Sequence, residues 1–198
     1  MPNRRELLSG NFAASAAQPR KMYGASYFSN LTLTTHEGRK VRFYDDLIRD
    51  KLVAFNMMYV RCEDTCPLTT ANLVRVQKLL GERVGRDVFM YSLTLQPHVD
   101  KPADLRKYVE AMGVQTGWLF LTGAPEDMLR VRKRLGFTDP NPKVDRRLSS
   151  HTGMLRIGND TYDRWGMAPA MTTPEQIVST INHFDMATTR AGARRSAA

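Results

Sequence analysis

The only two thiols of this chain, Cys62 and Cys66, stand together in the segment RCEDTCP. Three chemistries suit such a pair: a structural crosslink, a redox couple, or part of a metal site. On a helical turn a spacing of four puts both sulfurs on one side, close enough to share a metal ion or a disulfide. A crosslink here would close a very small loop, and loop entropy then makes it a modest stabiliser. Redox motifs of the C-x-x-C type hold two residues between the cysteines, whereas this pair holds three. A metal site needs at least one further donor.

Four histidines are candidates for that donor. His36 falls in a turn, His98 in a polar loop and His183 in the last helix, where a solvated or packed role is expected. His151, in SSHTGMLRIGN, directly precedes a strand that would return beside the cysteines. Two thiolates and an imidazole favour Cu(I) over hard cations. Zinc in a structural role would want a fourth ligand. The metal reading therefore uses Cys62, Cys66 and His151, and the redox reading uses Cys62 and Cys66 alone.

The elements that must position these residues follow from periodicity. Residues 31–35 and 40–44 alternate in period two around HEGR, which predicts a β-hairpin. Residues 45–50 predict a short helical turn. Residues 51–60 form a nearly continuous apolar run, the signature of a strand buried on both faces. That run ends just before Cys62. Leu73, Val76, Leu80 and Val84 then recur at helical spacing after Pro67, a residue tolerated in a first turn. The cysteines thus sit at a strand-to-helix junction, where N–H groups and the dipole favour a thiolate.

Further strands are expected at residues 87–94 and 118–121, each followed by a helix, opened by Asp100-Lys101-Pro102 and by Gly123-Ala124-Pro125. Residues 136–150 predict a Pro- and charge-rich loop. Residues 154–157 and 161–164 predict a second hairpin around Gly158-Asn159-Asp160, and TPEQ at 173–176 is a capping box opening the last helix. A hairpin, then alternating strands and helices, then a hairpin and a helix predict an α/β protein. Its expected form is a thioredoxin-like fold, a central mixed sheet flanked by helices with an N-terminal β-hairpin extension.

Composition bounds the function classes. The chain has 198 residues and a net charge of +9, with +3 in residues 1–21 and +3 in residues 187–198, leaving +3 for the body. A nucleic-acid module concentrates its charge on a folded face, so nucleic-acid binding is not expected. No apolar run approaches the roughly 20 residues of a membrane-spanning helix, which predicts a soluble or peripherally attached chain. Residues 1–25 are expected to form a disordered tail. Its adjacent arginines, two leucines and small-residue run read equally as a degenerate export signal or a plain basic terminus. Residues 26–186 are the expected thioredoxin-like domain, and residues 187–198 a disordered basic tail.

Of the eleven methionines, Met57, Met58, Met90, Met112 and Met128 occupy apolar strand or helix positions and are expected core residues. Met167 and Met171, flanking Pro169, are the candidates for an approach to the site. Trp118 and Trp165 are expected to pack, and Glu63 and Asp64 to be solvated loop acids.

Several of these segments carry a resemblance. MMYVRCEDTCPLTTANL resembles the CxxxCP segment of the Sco/SenC family, SLTLQPHVDKPADLRKYV its strand–loop–helix, GWLFLTG its W-x-x-L-T-G strand, and SSHTGMLRIG its His-Thr/Ser strand. The resemblance runs over roughly residues 26–186. It implies a thioredoxin-like fold and copper, as Cu(I), Cu(II) or both, bound through Cys62, Cys66 and His151. Asp100 matches the family's loop aspartate near the site. The implied role is a metallochaperone, not an enzyme, that helps assemble the dinuclear copper centre of cytochrome c oxidase. The implied partners are a copper-receiving protein such as an oxidase subunit, and a thiol reductant or another copper chaperone. The implied location is periplasmic or otherwise extracytoplasmic. The alternative is a thiol–disulfide oxidoreductase that keeps a partner's cysteines reduced through Cys62 and Cys66. Three positions depart from the family pattern without removing a ligand: Glu63 stands for proline, Ser150 for aspartate and Gln96 for aspartate.

Overall fold

The computed structural model describes residues 22–62, 65–151 and 153–185. Of the expected tails, residues 1–25 and 187–198, all but residues 22–25 lie outside the described residues, as do the loop acids Glu63 and Asp64.

Seven strands build one sheet: β1 (Thr32–Thr35), β2 (Lys40–Arg42), β3 (Leu52–Met58), β4 (Val88–Thr94), β5 (Trp118–Thr122), β6 (Met154–Asn159) and β7 (Arg164–Pro169). Their order is β2-β1-β5-β4-β3-β6-β7. The central three, β3, β4 and β5, are parallel, and the outer pairings are antiparallel. Every residue of β3 is buried, as its unbroken apolar run demands of a strand covered on both faces.

The period of two along β3 splits the interior into two layers. Leu52, Ala54 and Met58 face α2 (Thr65–Leu80), α3 (Pro102–Ala111) and α6 (Pro174–Phe184), through Leu73, Leu105 and Ile177. Val53, Phe55 and Met57 face α1 (Ala25–Phe28) and α4 (Pro125–Arg134), through Phe28, Met128 and Val131. Both cysteines belong to the first layer. The expected core methionines are buried except Met112, which is partly so. The capping box forms as expected, with the Thr173 hydroxyl accepting from the Gln176 N–H.

Three stretches differ from expectation. The loop over residues 136–150 contains α5 (Pro142–Asp145) and a 3-10 turn, Leu148–His151. The Asn141 side chain caps α5 by accepting from the Lys143 N–H, a local bond that the proline-rich composition masks. Helix α2 begins earlier than the apolar periodicity, so Cys66 lies inside its first turn. In the second hairpin the return strand starts at Arg164 rather than ending there. The Asp160 carboxylate accepts from the Asp50 N–H and the Tyr44 hydroxyl, and Asp163, at φ 51°, accepts from the Met22 and Tyr23 N–H groups. Residues 160–163 are thus consumed by a turn that ties three distant segments together.

Candidate metal and thiol site

Strand β3 carries the chain to Tyr59, whose carbonyl accepts the Cys62 N–H at 3.3 Å, turning the chain toward α2. The Cys66 N–H donates to Cys62 Sγ at 3.3 Å. An N–H at a helix N-terminus has no partner within the helix, and here it is spent on sulfur. The two thiols, 6% and 1% exposed, lie on either side of the start of α2, Cys62 just ahead of the helix and Cys66 in its first turn, and are not joined by a disulfide. This arrangement suits negative charge on Cys62, since donor and helix dipole both favour a thiolate.

Asp100 braces the junction from behind. It is buried, and its carboxylate accepts from the Val60 N–H at 3.1 Å and from the Thr94 hydroxyl. Val60 precedes Cys62 by two residues, so Asp100 fixes the end of β3 that delivers the first thiol. Burial raises the Asp100 pKa above the usual carboxylate value, opposed by the Thr94 and Val60 donors. Its other oxygen, Oδ1, is buried without a hydrogen-bond partner among the described residues. Gln96, at a departure from the family pattern, shapes this loop through its carbonyl, which accepts from the Val99 and Asp100 N–H groups.

Tyr108 on α3 lies under the pair. Its hydroxyl bonds Thr70 Oγ1 at 2.9 Å, and Thr70 follows Cys66 by four residues on α2. Burial pushes the Tyr108 pKa up to about 12; the Thr70 bond opposes this, and negative charge on Cys66 and Cys62 adds to it. The sequence reading gives Tyr108 no part in the site. The available signal was the pair of hydroxyls, Thr69 and Thr70, on the buried face of the helix that follows the cysteines.

His151 is placed differently. Because β6 runs antiparallel to β3, with Leu155 opposite Asn56, the start of β6 lies at the end of the sheet where β3 delivers the cysteines. Yet the buried His151 ring turns to Asp145, its Nε2 lying 2.8 Å from the Asp145 carbonyl and 3.6 Å from the carboxylate. A carbonyl only accepts, so in this arrangement Nε2 is the donor. The Asp145 carboxyl is held in turn by Arg132 at 2.7 Å and the Asp139 N–H at 2.9 Å. Burial alone would raise its pKa, but the Asp139 donor and the positive charges of Arg132 and His151 hold it below the usual value. Ser150 steadies the turn by donating to the Val144 and Arg147 carbonyls.

The structure therefore brings Cys62 and Cys66 together with Asp100 behind them, and leaves His151 docked on Asp145. Among the described residues no group of three or more His, Cys, Asp or Glu side chains converges as a metal site. The paired sulfurs fit a soft metal ion. The other histidines take packing or surface roles: His36 Nδ1 accepts the Phe120 N–H, His183 meets Arg164, and His98 lines a cavity of about 150 Å³ with Met57 and Arg132. Met171, half exposed, turns its sulfur to Thr69 Oγ1 at 3.6 Å.

A buried dithiol at a strand-to-helix junction of a mixed sheet defines a thioredoxin-like protein. The SCO1/SenC family model matches residues 19–185, and the chain belongs to that family. The SCO1 protein homolog of Bacillus subtilis is 29% identical over 94 residues, which span 46% of this chain and 47% of that relative, so the match covers about half its length. Among solved structures, BsSco, described as a member of the Sco family of cytochrome c oxidase assembly proteins with a disulfide switch, superposes with a TM-score of 0.64. It is 20% identical, with 80% of this chain and 93% of that one covered. Bradyrhizobium japonicum ScoI with copper bound gives a TM-score of 0.61 at 20% identity, covering 77% of this chain and 96% of its own. These likenesses establish the thioredoxin-like Sco fold, with the N-terminal hairpin β1–β2 added at the sheet edge.

Proposed function

We propose that this chain is a copper metallochaperone that matures the dinuclear copper site of cytochrome c oxidase. The observation that carries the reading is the Cys62–Cys66 pair at the N-terminus of α2, with the Cys66 N–H on the Cys62 sulfur. Cys62 and Cys66 are the thiolate ligands, and His151 joins as the imidazole ligand once its bond to the Asp145 carbonyl opens. Asp100 touches no cargo; it positions the Val60–Cys62 segment. Bound copper is cargo, released by exchange onto the ligands of a receiving site, such as an oxidase subunit, with no change in the number of electrons. Support comes from family membership and from the copper-bound ScoI relative. Residues 26–186 are the working domain, and its place of action is the periplasm or another extracytoplasmic space.

A second reading, favoured by the disulfide switch of BsSco, uses the same two sulfurs as a reductant. One thiolate attacks a partner disulfide, the second resolves the mixed disulfide, and the Cys62–Cys66 disulfide forms as the partner gains two electrons and two protons. Both roles share one requirement, since copper loading needs reduced thiols.

The test is an anaerobic Cu(I) titration of the reduced protein against a competing chelator. The expected result is one copper per chain, abolished in Cys62→Ser and Cys66→Ser and weakened in His151→Ala. Copper uptake indifferent to both serine variants would sink the chaperone reading. Absence of uptake together with rapid reduction of a model disulfide would favour the reductase.

A further inference from the structure

A soft donor outside the Cys62, Cys66 and His151 set is held over the same helical turn. Met171 is 51% exposed, yet its sulfur turns inward to the buried Thr69 hydroxyl at 3.6 Å. Thr69 follows Cys66 by three residues, a spacing that sets side chains about 5–6 Å apart at Cβ. The placement is built from both sides. Asn72 Nδ2 donates to the Ala170 carbonyl at 2.9 Å and to the Thr172 carbonyl at 2.8 Å, bracketing Met171 against α2. The Ala170 N–H donates to the Gly153 carbonyl at 2.9 Å, tying the same segment to the chain two residues beyond His151. Met171 therefore stands between the helix that carries Cys66 and the segment that carries His151.

We infer that Met171 is an auxiliary thioether ligand for Cu(I), completing a three-sulfur set with Cys62 and Cys66 while His151 remains docked on Asp145. The inference rests on the copper reading above. A thioether is soft and uncharged, so it selects Cu(I) without adding negative charge to a pair of thiolates. The protein then has two third donors for one copper: Met171 in the docked state of His151, and the imidazole after its release. Exchange between them moves no electrons. Packing does not account for Met171, since half of the side chain faces solvent and its backbone neighbours are fixed by a dedicated side chain.

The test combines Cu(I) titration against a chelator with copper K-edge X-ray absorption on the reduced full chain. His151→Ala, which leaves only Met171 as third donor, is expected to show three sulfur scatterers. Met171→Leu, nearly equal in volume, is expected to show two sulfurs and to bind about tenfold more weakly. Asn72→Ala, with Met171 intact, should weaken binding in the same direction. Two sulfurs in His151→Ala, or unchanged affinity and scattering in Met171→Leu, would overturn the inference and leave the chaperone reading standing. A native chain that takes up no Cu(I) would overturn both.

Discussion

Asp100 holds a carboxyl in the interior against the cost of burial, and that cost sets a pH dependence. Its folded pKa lies above the ordinary value of 3.8, so the folded state binds its proton more tightly than the unfolded chain. The stability this group contributes is fully present below the unfolded value and is lost as pH rises through the folded one. The native protein is thus expected to gain stability from this group as pH falls from neutral into mild acid. Asp145 acts in the opposite sense: its folded pKa is lowered, so its contribution is lost as pH falls through that depressed value. Asp100→Asn keeps an acceptor for the Val60 N–H and should flatten the Asp100 slope. Asp100→Ala strands the Val60 and Thr94 donors and should cost about 1–3 kcal/mol. Urea unfolding across that pH range checks both, and an Asn variant with the native slope would contradict the assignment.

Between elements, the second hairpin depends on a close approach of glycine and tryptophan. A Cβ built on Gly158 of β6 would lie 2.1 Å from the Trp165 ring of β7, its cross-strand partner. That ring packs on Phe28 of α1 at 4.6 Å between centroids and on Tyr23 at 6.2 Å. Gly158→Ala must therefore push Trp165 away and loosen the seat of the N-terminal segment. The expected loss is about 1–3 kcal/mol, the usual cost of overpacking, with a change in tryptophan emission in the folded state. Unchanged stability and emission would show that the ring moves without cost. The same hairpin leads into the 170–172 segment, so α2, β6 and β7 together set the surroundings of the thiols.

For the molecule as a whole, the proposed copper binding would be linked to folding. The junction of β3, α2 and the Asp100 loop holds Cys62 and Cys66 in one arrangement, so the ion should prefer the folded state. At a free Cu(I) concentration of a hundred times Kd, the linkage contributes about 2.7 kcal/mol. For a chain of this size that raises the melting temperature by roughly 5–11 °C. Anaerobic melting of the reduced protein with chelator-buffered Cu(I) measures the shift, and Cys62→Ser should abolish it. A native melting point indifferent to copper would mean that the ion binds the unfolded chain equally well.

Much of this was written locally in the chain. The unbroken apolar run specified β3 as a doubly covered strand, TPEQ specified the start of α6, and the four-residue spacing specified two sulfurs close together at a strand-to-helix junction. These features depend on neighbours within a few residues, and periodicity and capping rules read such neighbours directly. The tertiary structure decided what depends on distant partners. It set the docking of His151 on Asp145, which is in turn pinned by Arg132. It bonded Tyr108 to Thr70, moved the return strand past a turn anchored by Asp50 and Tyr44, and brought Met171 to a threonine 102 residues away. A hydrogen bond between segments far apart in sequence leaves no period in either one, so only the folded chain reveals it.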